Sequence, residues 1–396
     1  MGGGIAMAFA DAGIAVSLID SDPAALARVA ATLQRVYEGR VAKGRLSAAE
    51  ATQRLASIEL GGGDAEIARA DLALEAVFES LALKREIFAR FSALCRPDAM
   101  LASNTSTLDI DAIADAAEHP ERCLGLHFFS PAHVMRLLEI VRGAETSEAT
   151  LARARELAQR LGKIGIVVGN CDGFVGNRML LGYRREAEFL VLDGASPAQV
   201  DAALEAFGFA MGPFAVSDLA GIDIGWRAKR ERMERGAAPP FALTDLADRL
   251  VAAGRLGQKS GAGYYRYEPG NRRPFPDPAL DDLLAAARAK SGRSVRAIGA
   301  EEIVARCVYA LINEGARILG EGIASSAADV DAIWVNGYGF PAARGGPLRY
   351  ADEVGPARVL ATIERYADTD PTFWQPAPRL IEIARAGSNF EDEPAP

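Results

Sequence analysis

MGGGIAMAFADAGIAVSLID, residues 1–20, decides how this chain is read. Three glycines open an apolar helical stretch, and the next apolar run, GIAVSLID at 13–20, reads as a strand ending in an acid. Glycines at a helix start, a helix, a strand and an acid about 20 residues on form the second half of a dinucleotide-binding βαβ unit. Glycine lets a pyrophosphate approach the backbone, and the helix N-terminus favours its negative charge. With Gly2 as the third glycine of the motif, the first strand and first two glycines are expected upstream of Met1. A start assigned too far downstream accounts for such a missing first strand. Asp20 then accepts the ribose hydroxyls, and Ser21-Asp22-Pro23 offers no arginine for a 2′-phosphate, which favours NAD over NADP. The other reading of this turn is helix capping by Ser21 or Asp22.

The 396 residues exceed one ordinary core and predict two or three domains. With 49% hydrophobic and 24% charged residues, the composition is that of a globular protein. A net charge of -9 argues against a nucleic-acid partner. Cys95, Cys123, Cys171 and Cys307 are far apart and form no CxxC pair, so neither a metal site nor a disulfide framework is expected. A reducing, cytoplasmic location follows as an expectation. No apolar run reaches the roughly 18 residues of a membrane span. The start has no basic segment and carries Asp11, so it reads as structure and not as a signal peptide.

Up to about residue 170, short apolar runs alternate with helical stretches, which predicts a mostly parallel sheet covered on both faces. Strands are expected at 14–19, 71–77, 99–103, 123–129, 137–141 and 164–168, and helices at 3–12, 23–43, 47–57, 82–95, 109–116 and 147–161. From residue 171 on, long helical patterns dominate and an internal repeat emerges. EAEFLVLDG at 186–194 precedes Val200-Asp201, Gly208-Phe209 and Gly212-Pro213, and EGARILGEG at 314–322 precedes Val330-Asp331, Gly339-Phe340 and Gly346-Pro347. The expected organisation is an α/β Rossmann-type dinucleotide-binding domain at 1–170, then two tandem all-α domains at 171–268 and 299–388, packed as an intrachain pseudo-dimer. Residues 269–298, rich in Pro, Gly and charge, read as a linker, and the end from Asn389 reads as frayed.

Histidine is scarce. His119 reads as a surface residue and His133 as a loop residue, but His127 ends an apolar strand, and Glu139 lies inside a second one. A carboxylate in a buried strand is costly unless paired, and a His–Glu pair satisfies both groups while fixing the imidazole tautomer. The alternative is a satisfied core histidine beside an edge-strand glutamate. SNTST at 103–107 follows a buried strand at its ligand-facing end, where hydroxyls bind a substrate oxygen or cap the next helix, Thr107 being the expected cap. In DGFVGNR at 172–178, Asn177 can reach an interdomain cleft, and Asp172 can cap the long helix that follows.

These residues, with the motifs SNTSTLDI, GLHFFSPAHVMRLLEIV, DGFVGNR, GFAMGPFAVSDLAGID, GQKSGAGYYRYE and NGYGFPAARGGP, resemble the 3-hydroxyacyl-CoA dehydrogenases of fatty-acid β-oxidation. The chain looks most like the dehydrogenase half of the multifunctional enzymes, over residues 1–388. The resemblance implies His127 as general base, Glu139 as its partner, and Ser106 and Asn177 as the groups that hold the reacting oxygen and the histidine. It places Gly2, Asp20, Glu79, Lys84, Ser106, Ser130 and Lys259 at the cofactor, and Ser106, Asn177 and Lys43 at the acyl-CoA. Ser130 stands where single-function members carry Asn, as in the multifunctional branch.

The resemblance implies NAD-dependent oxidation of L-3-hydroxyacyl-CoA to 3-oxoacyl-CoA with no metal. It also implies a thiolase or hydratase partner, and a monomer if the second helical repeat fills a partner's place, otherwise a homodimer. Two rival readings are an inactive acyl-CoA-binding fragment and a dehydrogenase of a free hydroxy acid.

Overall fold

A computed structural model describes residues 1–392. They divide into two compact units, Met1–Phe174 with Ile323–Ser325, and Val175–Gly322 with the chain from Ser326 on.

The first unit runs α1 (Gly2–Asp11), β1 (Val16–Leu18), α2 (Pro23–Ala42), α3 (Ala48–Ala56), β2 (Ile58–Leu60), α4 (Asp64–Arg69), β3 (Leu72–Glu75), α5 (Leu81–Leu94), β4 (Met100–Ser103), α6 (Ile110–Ala114), β5 (Cys123–Phe128), β6 (Leu137–Arg142), α7 (Glu148–Arg160) and β7 (Ile164–Gly169). β2 and α4 had no counterpart among the expected elements, because three and six residues are too short to show a period. The main sheet has the order β3-β4-β5-β6-β7, and β1 pairs with β2 in a separate parallel ribbon. Every neighbour pair in the main sheet is parallel except β5–β6.

Alternation along the strands sends side chains to two cores. Met100, Ala102, Leu124, Leu126 and Ile140 pack with α1 and α7, while Leu101 and Cys123 pack with Phe88 of α5 and Ile113 of α6. Gly165 lets α7 close onto the sheet, since a Cβ there would lie 2.5 Å from that of Ala158. Of the two residues expected to cap α2, Asp22 does so, through Ala24 N–H. The expected cap of α6 is corrected. Asp109, and not Thr107, caps α6, because its carboxylate reaches the N–H groups of both Asp111 and Ala112.

The second unit is helical: α8 (Gly176–Leu192), α9 (Pro197–Phe207), α10 (Pro213–Ala220), α11 (Ile222–Glu234), α12 (Leu246–Ala252), α13 (Ala279–Ser291), α14 (Ala300–Gly320), α15 (Ala327–Gly337), α16 (Pro347–Val354), α17 (Pro356–Ala367) and α18 (Pro378–Ala386). The sequence repeat is repeated in bonding. Asp201 on α9 accepts from the N–H groups of Phe214 and Ala215, and Asp331 on α15 accepts from those of Leu348 and Arg349. A Cβ on Gly212 or Gly346 would fall within 2.3 or 2.2 Å of those aspartates. Five residues past each proline, Asp218 holds the N–H groups of Tyr264 and Tyr265, and Asp352 holds those of Phe390 and Glu391.

Both copies lie inside one compact unit, with α14 packed on α8. Arg306 of α14 reaches Glu186 (2.8 Å) and Asp193 (2.7 Å), and Arg178 of α8 reaches Glu314 (2.6 Å). The buried Arg306 pairs set register more than they add stability. The segment 269–298 is not a bare linker: α13 buries Leu280, Leu284 and Ala287, and Arg288 donates to the carbonyls of Val191 and Ala195. The chain from Asn389 is not frayed as far as Asp392, since Phe390 is buried and tied to Asp352. Residues 393–396, the rest of that expected frayed end, lie outside the described residues.

Candidate active site

His127 and Glu139 face each other because the β5–β6 register pairs them. Nδ1 of His127 lies 2.7 Å from Oε2 of Glu139. The His127 side chain is 7% exposed and that of Glu139 0%. With Nδ1 engaged, Nε2 is the ring atom left for proton exchange. The rings of Phe129 and Phe174 lie 4.5 and 5.7 Å from the imidazole, so it is walled by apolar surface.

The loop after β4 is the second element. Ser103 Oγ donates to Glu75, and Asn104 Oδ1 accepts from Phe128 N–H at 2.8 Å, which ties the loop to the strand beside His127. Glu79 Oε1 accepts from Thr105 Oγ1 (2.6 Å) and from the N–H groups of Ser106 (3.0 Å) and Thr107 (3.1 Å). Burial works against this carboxylate's charge, but those donors and Lys84 outweigh it and hold its pKa below the ordinary glutamate value. Ser106 is thus placed by its backbone, with its hydroxyl 3.4 Å from the same oxygen.

The Lys84 side chain is 1% exposed, and its Nζ lies 2.8 Å from Glu75 and 3.5 Å from Glu79. Glu75 had not been singled out, although a carboxylate closing the apolar run LALE is the same signal that marked Glu139.

Gly2 is the first residue of α1, and a Cβ there would meet nothing within 4 Å. Asp20 is exposed just past β1 and uses one oxygen on Asp22 N–H. An open glycine helix start and an exposed acid fit a dinucleotide with free ribose hydroxyls. Ser130 is exposed before the cis bond to Pro131, and Lys43 is exposed at the end of α2. His119 is half-exposed beside Glu121. His133 is partly buried, which lowers its pKa.

Asn177 and Lys259 belong to the second unit. Oδ1 of Asn177 accepts from the Tyr338 hydroxyl at 2.9 Å, and Tyr338 stacks on Trp334. Gly176 makes room, since a Cβ there would lie 2.3 Å from the tyrosine ring. Tyr338 sits inside the NGYGF motif yet had no assigned role, because its partner is 161 positions away. α8 starts after Val175 without a side-chain cap, so the expected cap by Asp172 is not made. Lys259 Nζ pairs with Asp223 at 2.5 Å. Among the described residues no cluster of three His, Cys, Asp or Glu is arranged for a metal, and no helix is long and apolar enough to cross a membrane.

The family described as "3-hydroxyacyl-CoA dehydrogenase, NAD binding domain" matches residues 1–171. Its "C-terminal domain" counterpart matches twice over, at 173–267 and 303–391. The peroxisomal bifunctional enzyme of Cavia porcellus is 42% identical over 98% of this chain and 55% of its own length. The chain thus spans about half the length of the curated relatives it matches. Among solved structures, 3-hydroxybutyryl-CoA dehydrogenase from Escherichia coli aligns with a TM-score of 0.85 at 27% identity, over 98% of this chain and 96% of that one. (S)-3-hydroxybutyryl-CoA dehydrogenase from Ralstonia eutropha aligns with a TM-score of 0.62 at 33% identity, over 68% of this chain and 95% of that one. With both of its domain types matched in order along nearly the whole described sequence, the chain belongs to the 3-hydroxyacyl-CoA dehydrogenase family.

Proposed function

We propose that this chain oxidises L-3-hydroxyacyl-CoA to 3-oxoacyl-CoA with NAD, as a step of fatty-acid β-oxidation. The observation that carries the reading is the buried His127–Glu139 pair, at 2.7 Å, in an NAD-binding domain of this family. Bound NAD supplies the hydride acceptor. His127 takes the proton of the 3-hydroxyl at Nε2, and Glu139 stabilises the imidazolium across Nδ1. Ser106 and Asn177 orient the reacting oxygen, the first set by Glu79 and the second by Tyr338. Gly2 and Asp20 hold the adenosine half, with Glu79, Ser130 and Lys259 toward the nicotinamide half, and Lys43 serves the coenzyme A phosphates. The relatives named bifunctional support a hydratase activity acting beside this one. The repeated helical half supports a monomer. Four free thiols support a reducing compartment such as the cytoplasm.

The test is NADH consumption with acetoacetyl-CoA. Saturable oxidation of NADH that requires the thioester is expected. An equal rate with free acetoacetate, or none with either compound, overturns the proposal.

A further inference from the structure

A cleft of about 260 Å³ lies inside the helical unit, among α8, α14, α17 and the segment that leads from α13 into α14. Five arginines line it, Arg185, Arg293, Arg296, Arg306 and Arg365, against four carboxylates. Each carboxylate is already taken. Glu186 and Asp370 bind Arg185, and Glu186 also accepts from Nε of Arg306 at 2.8 Å. Asp193 accepts from Nη1 of Arg306 at 2.7 Å and is gripped by Nε and Nη2 of Arg293. Glu302 is gripped by both Nη atoms of Arg296. Arg365 is the odd charge. It donates Nη2 to Thr362 Oγ1 at 3.2 Å and pairs with no carboxylate among the described residues. Nη1 of Arg293, Nη2 of Arg306, and Nε and Nη1 of Arg365 are thus left with donors to spare.

The repeat separates this cleft from the chemistry. The register that sets Glu186 against Glu314 sets Arg306 against Arg178, and each arginine crosses to the carboxylates of the other half. Asn177 then has Ala305 as its counterpart, beside Arg306. The second half keeps the arginine and lacks the amide, so the cleft can bind a ligand but holds no copy of the catalytic set. We propose that it is a binding site for a phosphate group, free or at the end of a small phosphomonoester. A guanidinium fork matches phosphate oxygens bidentately, and a phosphate has oxygens for several forks where a carboxylate has two. At about 260 Å³ the cleft falls below the roughly 300–1,000 Å³ of drug-sized sites, which limits it to a compact ligand. Bound phosphate offsets the unbalanced charge and ties α17 to the segment that carries Arg293. The site goes beyond the dehydrogenase reading and does not depend on it.

The test is isothermal titration calorimetry of the whole chain at constant ionic strength, with inorganic phosphate, glycerol 3-phosphate and acetate, joined to amide hydrogen exchange. Saturable binding of a phosphate compound is expected, with slower exchange around Arg293 and Arg365. Tighter binding of inorganic phosphate assigns the site to the free anion, and the reverse order assigns it to a phosphomonoester. Arg365→Gln and Arg293→Gln are each expected to weaken binding about tenfold or more, the worth of a charge-assisted hydrogen bond. Arg365 is exposed and its one bond is to Thr362, so Arg365→Gln should melt at the wild-type temperature in phosphate-free buffer. Binding that both variants leave unweakened belongs elsewhere on the molecule and overturns the proposal. So does acetate binding as tight as that of phosphate. So does the absence of saturable binding by about 10 mM of either phosphate compound.

Discussion

His127 and Glu139 are twelve residues apart in sequence and directly opposite in the sheet, because β5 and β6 form its antiparallel pair. A parallel connection would need a crossover of a dozen or more residues and could not bring them level. The short return between the strands therefore builds the dyad from backbone direction alone.

Replacing His127 by Ala removes the proton acceptor. Turnover is expected to fall about 10²- to 10⁴-fold. NADH affinity, measured by fluorescence titration, should stay near wild type. Wild-type-like turnover would remove His127 from the chemistry.

Glu139→Gln keeps the shape but not the charge that faces Nδ1. kcat is expected to drop roughly 10- to 100-fold, the lower part of the range for acid–base groups. Thermal stability should change little, since a 0% exposed carboxylate becomes a neutral amide. A melting temperature many degrees lower with kcat intact would make the pair structural.

Tyr338→Phe deletes the hydroxyl on Asn177 while keeping the stack on Trp334. The loss of one neutral hydrogen bond is worth about 1 kcal/mol, or roughly fivefold if all of it reaches the transition state. kcat is expected to fall by about that factor with the fold intact by circular dichroism. No change in kcat would detach the second repeat from catalysis.

Burial pushes Asp331 up to about 7 and Asp201 up to about 6, against the backbone donors that each accepts. A carboxyl raised in the folded state holds a proton that the unfolded chain has released. Its contribution to stability is full below the ordinary aspartate value and is lost as pH rises through the folded value. The stability of the wild type relative to Asp331→Asn, from urea midpoints, should therefore fall between about pH 4 and about pH 7. A flat difference across that window would show that the two N–H donors win over burial.

Much of this was legible because the relevant strands are apolar with one discordant residue each. CLGLHF and LLEIVR announce His127 and Glu139 by the cost of burying them, and the helix–strand alternation of the first 170 residues needs only period counting. The repeat was legible because Gly212 and Gly346 sit where only glycine clears a neighbouring carboxylate. The burial of Lys84 was not legible, because a lysine in the first turn of a helix ordinarily reaches water. Its burial depends on Glu75, nine residues earlier on a different element. Tyr338 was invisible for a similar reason, its contact being set by how α8 meets the second repeat. Pairings of this kind are decided by packing between elements, which no local pattern encodes.

The aspartate clasps have a bearing on how this chain can change over time. Asp201 with Gly212, and Asp331 with Gly346, each close a helix turn using residues of their own half. A substitution that springs one clasp leaves the other shut. Each copy can therefore vary around its own fastener without undoing the other's, and Tyr338 shows the second copy carrying a contact to Asn177 besides its clasp.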